Sequence, residues 1–214
     1  ECQRRHLTLT LEQADKLLVR TGCLPLAIVR AIARMAWCGS SVEAELRQLG
    51  KPTNEIQNFC FEKSIALIQD RDAHKLFMAL ALFSTDTARD ALGYVAGFGE
   101  AILDRDEGLS DLEVLSLVNK EGDRFSLEPL TKVKALAELA ANPNFERETR
   151  RRWVEWYLNF VKDFGGWDWN ESHIDYNRVE QEWENLLAVF EWCADHKRYH
   201  ERRAFWQGGG VCQF

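Results

Sequence analysis

The chain has 214 residues, 46% hydrophobic and 29% charged, with a net charge of -7 at pH 7. That balance describes a soluble globular chain of one or two domains, and no apolar run approaches the roughly 18 residues that cross a bilayer. The six cysteines include no C-x-x-C pair, which argues against a zinc site and a disulfide framework. Four of them lie in apolar, helical-looking segments, where free Cys behaves as a small hydrophobe, so reduced thiols and a cytoplasmic location are expected. The start at Glu1 shows neither Met nor a signal-peptide pattern. The tail Gly208 to Phe214 follows a helical pattern abruptly, and the whole reads as the middle of a longer protein.

Thr10 is an acceptable N-cap for a helix over Leu11 to Val19, whose apolar face is Leu11, Ala14, Leu17 and Leu18. Gly22 ends it. The stretch Thr21 to Ala27, T-G-C-L-P-L-A, then sets Pro25 at the start of a second helix, Leu26 to about Trp37. A helix N-terminus with free N–H groups suits a nucleotide, although on its own the pattern favours the start of an ordinary core helix. Leu26, Val29, Ile32, Ala33 and Ala36 share one side of this helix, with Arg30 and Arg34 on another. Gly39-Ser40-Ser41 stops it, and a short third helix runs from Ser41 to Leu49-Gly50. The breaker cluster Lys51-Pro52-Thr53-Asn54 marks a first boundary, closing a module over residues 1–50.

Residues 51–141 form the second expected module and hold the largest acidic excess. Helices are expected at Phe59 to Ile68, at Asp72 to Phe83 (the most apolar element), at Thr85 to Val95 and at Ser110 to Leu117. A hairpin follows: Ser116 to Asn119, a turn at Lys120 to Asp123, and Arg124 to Leu127. Pro129 leads into a helix over Leu130 to Ala140. Helices, a hairpin wing and a closing helix describe a winged helix. Asn142-Pro143-Asn144 is the second boundary. Beyond it, residues 142–214 carry two long helices, Glu146 to Phe164 and Asn177 to His196, joined by the aromatic loop Gly165 to Trp169. Paired long helices resemble one unit of an α-solenoid, which needs further repeats to bury its faces. The fold class is therefore mainly α: a helical subdomain, a winged-helix domain and a TPR-like helix pair.

No G-x-x-x-x-G-K-[S/T] loop is present; Gly50-Lys51 lacks the upstream glycine and runs into Pro52. The chain is not expected to be an enzyme by itself, and G-x-S-x-G and H-E-x-x-H are also missing. His196 and His200 are the one i, i+4 histidine pair, read as a solvated helix end and not as metal ligands. Arg150-Arg151-Arg152 before Trp153 could bind nucleic acid by charge and stacking. The competing reading is a salt-linked face, Arg147 and Arg151 with Glu148 and Glu155, over a core row of Trp153, Trp156, Tyr157 and Phe160. The helix before the wing, Asp111-Leu112-Glu113-Val114-Leu115, has two acids and no base. Nucleic-acid binding requires cations against phosphates, so a protein contact is expected here instead.

Three motifs, in order, carry a family resemblance. Gly22-Cys23-Leu24-Pro25-Leu26-Ala27 resembles the G-L-P-L-A motif of NB-ARC (STAND-class) signalling ATPases. Arg124 to Thr131, R-F-S-L-E-P-L-T, resembles that family's M-H-D motif, which bacterial members often write L-H-P-L-T. Glu182 to Ala188, E-W-E-N-L-L-A, resembles the E-x-x-N-L-x-A segment that opens the helical-repeat sensor of bacterial members. The resemblance implies the end of the NB-ARC helical domain, its winged helix and the start of its repeat sensor. It implies cofactor-binding roles for Gly22, Leu24 and Pro25, with Pro25 against adenine, and for Glu128 at the phosphate-contacting histidine position. Glu128 is a departure, because a carboxylate beside phosphates is repulsive unless protonated or metal-bridged. Cys23 departs mildly from the usual Gly or Leu.

Under that resemblance the cofactor is ADP or ATP, with Mg only in the full-length parent, and no tight binding to this fragment alone. Its expected partners are an upstream nucleotide-binding core and a protein at the repeat sensor. Neither nucleic acid nor a membrane is expected. The alternatives are a winged-helix transcriptional regulator that binds DNA and a helical protein-interaction scaffold.

Overall fold

The computed structural model describes residues 2–50, 55–164 and 173–209. The boundary Lys51-Pro52-Thr53-Asn54, the aromatic loop Gly165 to Trp169 and the tail from Gly210 onward lie outside the described residues. Among the described residues the chain is mainly helical, with twelve α-helices and a small three-stranded antiparallel sheet. After a 3-10 turn at Gln3–Arg5 come α1 (Leu11–Arg20), α2 (Pro25–Cys38), α3 (Val42–Leu49), α4 (Ile56–Ala66) and α5 (Asp72–Leu80). Next are β1 (Thr87–Ala88), α6 (Arg89–Ala96), α7 (Ile102–Val114), β2 (Asn119–Glu121) and β3 (Arg124–Ser126). The rest is helical: α8 (Pro129–Ala140), α9 (Pro143–Phe164), α10 (His173–Gln181), α11 (Trp183–Asp195) and α12 (Tyr199–Gly209). None of the described helices is long and apolar enough to cross a membrane.

Packing divides the chain into two units that interleave in sequence: Glu1–Lys75 with Leu103–Asn119, and Leu76–Ile102 with Lys120–Phe214. In the first unit, Thr10 and Gln13 form a reciprocal capping box that starts α1. The expected α1 face is only partly buried. Leu17 is 3% exposed and joins the core, whereas Leu11 is 87% exposed. That core gathers Leu17, Ala27, Ala31, Met35, Leu49 and Cys60 among its members.

The second helix buries Ile32 and Ala33 of its expected face and leaves Leu26, Val29 and Ala36 half-buried, but it also buries Arg30 and Arg34 together with Ala27, Ala31 and Met35. Arg34 pairs with buried Glu45 from α3 and donates to the Cys60 carbonyl oxygen at 2.9 Å. The Arg30 guanidinium lies over the Phe61 ring, 5.1 Å from its centroid. A periodicity count assigns arginine to solvent by default, and here a matching carboxylate and an aromatic face change the sign.

Three further elements differ from their sequence expectation. Thr87 and Ala88 form a strand where a helix from Thr85 is expected, because Thr87 pairs with Phe125 and Ala88 with Arg124 across an antiparallel ladder. Helix α7 begins at Ile102, so Ser110 sits inside it and caps nothing; burial of Arg105, Gly108, Leu109 and Leu112 carries the helix through. The expected helix Asn177 to His196 is interrupted at Glu182, although Glu182 N–H to Arg178 O (3.1 Å) and Leu186 N–H to Glu182 O (2.8 Å) bridge the interruption.

In the second unit α9 is the central helix, packing against α6, α8, α10, α11 and α12. The hairpin turns at Gly122-Asp123, where Gly122 takes φ +60° as a two-residue hairpin turn requires. The sheet order is β1-β3-β2. Five described cysteines are free, and burial pushes the Cys193 thiol up to about 11, which keeps it protonated and inert.

Candidate functional site

Four polar side chains converge in the interior of the second unit, drawn from β3, α9 and the α10–α11 junction. Glu182 is 7% exposed, and its two carboxylate oxygens have separate partners. Oε1 accepts from Arg124 Nη2 at 2.6 Å. Oε2 accepts from the Tyr157 hydroxyl at 2.6 Å and from Asn185 Nδ2 at 3.0 Å. Asn185, fully buried, uses its remaining groups on the segment between α5 and β1. Its Oδ1 accepts from the Ser84 N–H at 2.8 Å and the Thr85 N–H at 3.3 Å, and its Nδ2 also donates to the Asp86 carbonyl at 2.9 Å. Arg124 completes the circuit with an ion pair to Asp86 at 3.1 Å and a hydrogen bond to its carbonyl at 3.0 Å.

The electrostatics follow from that arrangement. Burial, reinforced by the neighbouring Glu182 charge, pushes the Tyr157 phenol well above its usual range. For Arg124 burial opposes the charge, but the bonds and charges of Glu182 and Asp86 outweigh it and hold the guanidinium above its ordinary value. Each of the four side chains is bonded to another member or to the segment between α5 and β1, which gives the cluster the character of a structural clasp.

Beside the clasp a cleft of about 330 Å³ opens between Phe83, Ser84, Asp86, Ser126, Leu127 and Lys132. Lys132 Nζ donates to the Phe83 carbonyl at 2.6 Å and the Ser84 carbonyl at 3.2 Å, and burial lowers its pKa. The ammonium thereby satisfies two backbone acceptors of the segment between α5 and β1.

Gly22, Leu24 and Pro25 occupy the α1–α2 turn of the first unit. Gly22 and Cys23 are consecutive left-handed residues, at φ +63° and +57°. Their N–H groups close the turn onto Val19 O and Leu18 O, and buried Thr21 donates its hydroxyl to Leu17 O at 2.7 Å. Leu24 is the N-cap of α2 and supplies no side-chain cap; Pro25 is the first helical residue and is exposed. Glu128 belongs to the second unit, as the exposed N-cap of α8 immediately after cleft residue Leu127. Its carbonyl accepts the Lys132 N–H at 2.8 Å. A carboxylate at this helix N-terminus is favourably placed against the macrodipole.

Tyr157, Asp86 and Lys132 were not singled out as site residues by the sequence. Arg124, Glu182 and Asn185 were marked only as members of the two segments that resemble the M-H-D and E-x-x-N-L-x-A motifs. The Arg150–Arg152 run is committed to intramolecular partners: Arg150 to Glu146, Arg151 to Glu148 and Glu155, and Arg152 to the Val95 carbonyl. Trp153 and Tyr157 are core residues. His196 stacks on Trp192 at 4.3 Å, and left-handed Lys197 (φ +56°) breaks the helix before His200, so the i, i+4 pair does not form on one helix. Among the described residues no group of three or more His, Cys, Asp or Glu could hold a metal ion. Compared with protein-family models, curated proteins and solved structures, the chain matches none.

Proposed function

We propose that this chain is the regulatory part of a nucleotide-dependent signalling switch of the NB-ARC type. In this reading residues 1–50 end the helical domain, 51–141 form a winged helix and 142–214 open a TPR-like sensor. One observation carries it: the order α5, β1, α6, α7, β2, β3 with sheet order β1-β3-β2. A winged helix arranges its elements in that way; of the three motifs, one precedes residues 51–141, one lies within them at β3 and the start of α8, and one follows, in the order the family uses. The clasp supports the same reading, since Glu182 and Asn185 of the sensor motif hold the wing strand and the α5–β1 segment of the winged helix.

In this reading Pro25 takes the adenine-contacting role of the first motif and Glu128 the phosphate-contacting position of the second, with the phosphate-binding loop supplied elsewhere. Nucleotide exchange biases the winged helix between two packings, and a protein partner at the sensor biases the same equilibrium. The acidic helix before the wing makes DNA a poor ligand.

The test is ADP binding by the longer native protein carrying Pro25→Ala, Glu128→Ala or Glu128→His. Weaker binding is expected for Pro25→Ala, and tighter binding for Glu128→His, which removes a carboxylate and restores a donor. Unchanged affinity in all three variants overturns the proposal.

A further inference from the structure

Two side chains hold the same two peptide planes from opposite edges. In the plane that joins Phe83 to Ser84, the carbonyl accepts from Lys132 Nζ at 2.6 Å and the N–H donates to Asn185 Oδ1 at 2.8 Å. In the next plane, the Ser84 carbonyl accepts from Lys132 Nζ at 3.2 Å and the Thr85 N–H donates to Asn185 Oδ1 at 3.3 Å. A trans peptide group is rigid and points its C=O and N–H in opposite directions. Turning either plane therefore loosens its bonds to Asn185 and to Lys132 together. Polarisation acts in the same sense, since a carbonyl that accepts from a cation makes the N–H of its own plane a stronger donor.

The two ends of this arrangement have different surroundings. Asn185 is fully buried, and its Nδ2 donates to Glu182 Oε2 and to the Asp86 carbonyl. Lys132 instead lines the cleft, beside Ser84, Thr85 and Asp86. Its backbone N–H donates to the Glu128 carbonyl at 2.8 Å, which sets it one turn into α8 from Glu128. We infer that Asn185 is a positioning residue for Lys132: it fixes the two peptide planes that hold the ammonium, and so sets how that cation is presented to the cleft. Resting on the switch proposed above, this link carries the state of the sensor motif to the charge beside Glu128. The link runs in both directions, as a coupling between two sites must.

Pulsed labelling of this chain with acetic anhydride, read at Lys132 by mass spectrometry, tests the inference without nucleotide. The pH is varied from about 7 to about 12, across the ordinary lysine range. Burial lowers the Lys132 pKa, so Asn185→Leu should move its labelling midpoint up, as the ammonium leaves its part-buried seat for water. Tyr157→Phe also weakens the clasp, by one bond to Glu182, but leaves both peptide planes held and should leave the midpoint in place. In the reverse direction, Lys132→Met should speed hydrogen exchange of the Ser84 and Thr85 amides about tenfold, the factor one lost hydrogen bond to a charged group gives. Exchange of the buried α9 amides should stay unchanged. This second variant keeps the test decisive even where Asn185→Leu fails to fold. A midpoint unmoved by Asn185→Leu overturns the inference, as does an equal shift in Tyr157→Phe or unchanged exchange at Ser84 and Thr85 in Lys132→Met. In the longer native protein, Asn185→Leu should also shift ADP affinity. A Lys132 midpoint that moves while ADP affinity does not supports the positioning role and counts against the nucleotide reading alone.

Discussion

Each unit buries an arginine–glutamate pair, and the two pairs are built for different work. Arg34 and Glu45 sit 11 residues apart, on adjacent helices, with both side chains at most 4% exposed. Arg34 also donates to the Cys60 carbonyl, so the pair ties α2, α3 and α4 together. Arg124 and Glu182 are separated by 58 residues and are somewhat more exposed, at 15% and 9%. They reach four further groups: Asp86, Tyr157, Asn185 and, through Asn185, the backbone of Ser84 and Thr85. A dry local pair fixes a fold, whereas a distributed pair couples distant chain segments and can register a change in any of them.

The largest effect should come from breaking the closed pair. Arg34→Met leaves Glu45 buried without its cation and removes the donor to Cys60, which should cost about 3–5 kcal/mol. Urea unfolding measures it. The double variant Arg34→Met/Glu45→Leu should recover most of that loss, because an apolar pair avoids the desolvation that the ionic pair must overcome. If the double variant is as unstable as the single, the pair is not the isolated lock described.

The distributed pair should respond more softly and less additively. Glu182→Ala should cost about 2–4 kcal/mol, since Arg124 keeps Asp86 while Tyr157 and Asn185 each lose an acceptor. A double-mutant cycle with Arg124→Met should give a coupling of about 1–3 kcal/mol. Purely additive losses would reduce the clasp to independent contacts and remove the distinction between the two units.

Tyr157 sharpens the comparison through pH. Its folded-state pKa lies well above the unfolded value of 10.0, with burial first and Glu182 second as causes. The folded state therefore holds this proton more tightly than the unfolded state does. The stability it contributes is complete below pH 10 and is lost as pH rises through the folded pKa. Tyr157→Phe should cost about 1 kcal/mol at pH 7. In exchange, its stability should fall less steeply than that of the wild type above pH 10. Parallel curves for the two proteins would mean that the phenol does not titrate differently in the folded state.

Much of the second unit was legible because its signals are local. Pro129 after the hairpin starts α8, the Gly122-Asp123 turn sits within the expected turn, and of the aromatic row of α9 Trp153 and Tyr157 are core while Trp156 and Phe160 are half-buried. What escaped was set by long-range pairing. Thr85 to Val95 has a helical pattern, and only the partner strand Arg124–Ser126 recruits Thr87 and Ala88 into a ladder. Arg30 and Arg34 look solvent-facing until Glu45 and Phe61 are placed against them. Ser110 reads as a cap because a serine followed by acids does so in isolation, and burial of Leu109 and Leu112 overrides it. The clasp was half visible: a motif named Glu182 and Asn185, but no one-dimensional pattern links them to Tyr157, Arg124 or Asp86.

The smallest effect on stability is expected at the α1–α2 turn, and its smallness is informative. Pro25 is exposed, supplies no N–H by nature, and occupies the first helical position, where that N–H would have no intrahelical partner. Pro25→Ala should therefore cost about 0.5 kcal/mol, mostly through added freedom of the unfolded chain. Thermal unfolding of the two proteins checks this. The result separates two roles that a binding assay alone would confound. A variant that keeps its stability yet loses ADP affinity in the longer protein has lost a ligand contact. A loss of several kcal/mol would instead make Pro25 a fold residue like Arg34, and the comparison between fold lock and functional surface would have to be redrawn at that turn.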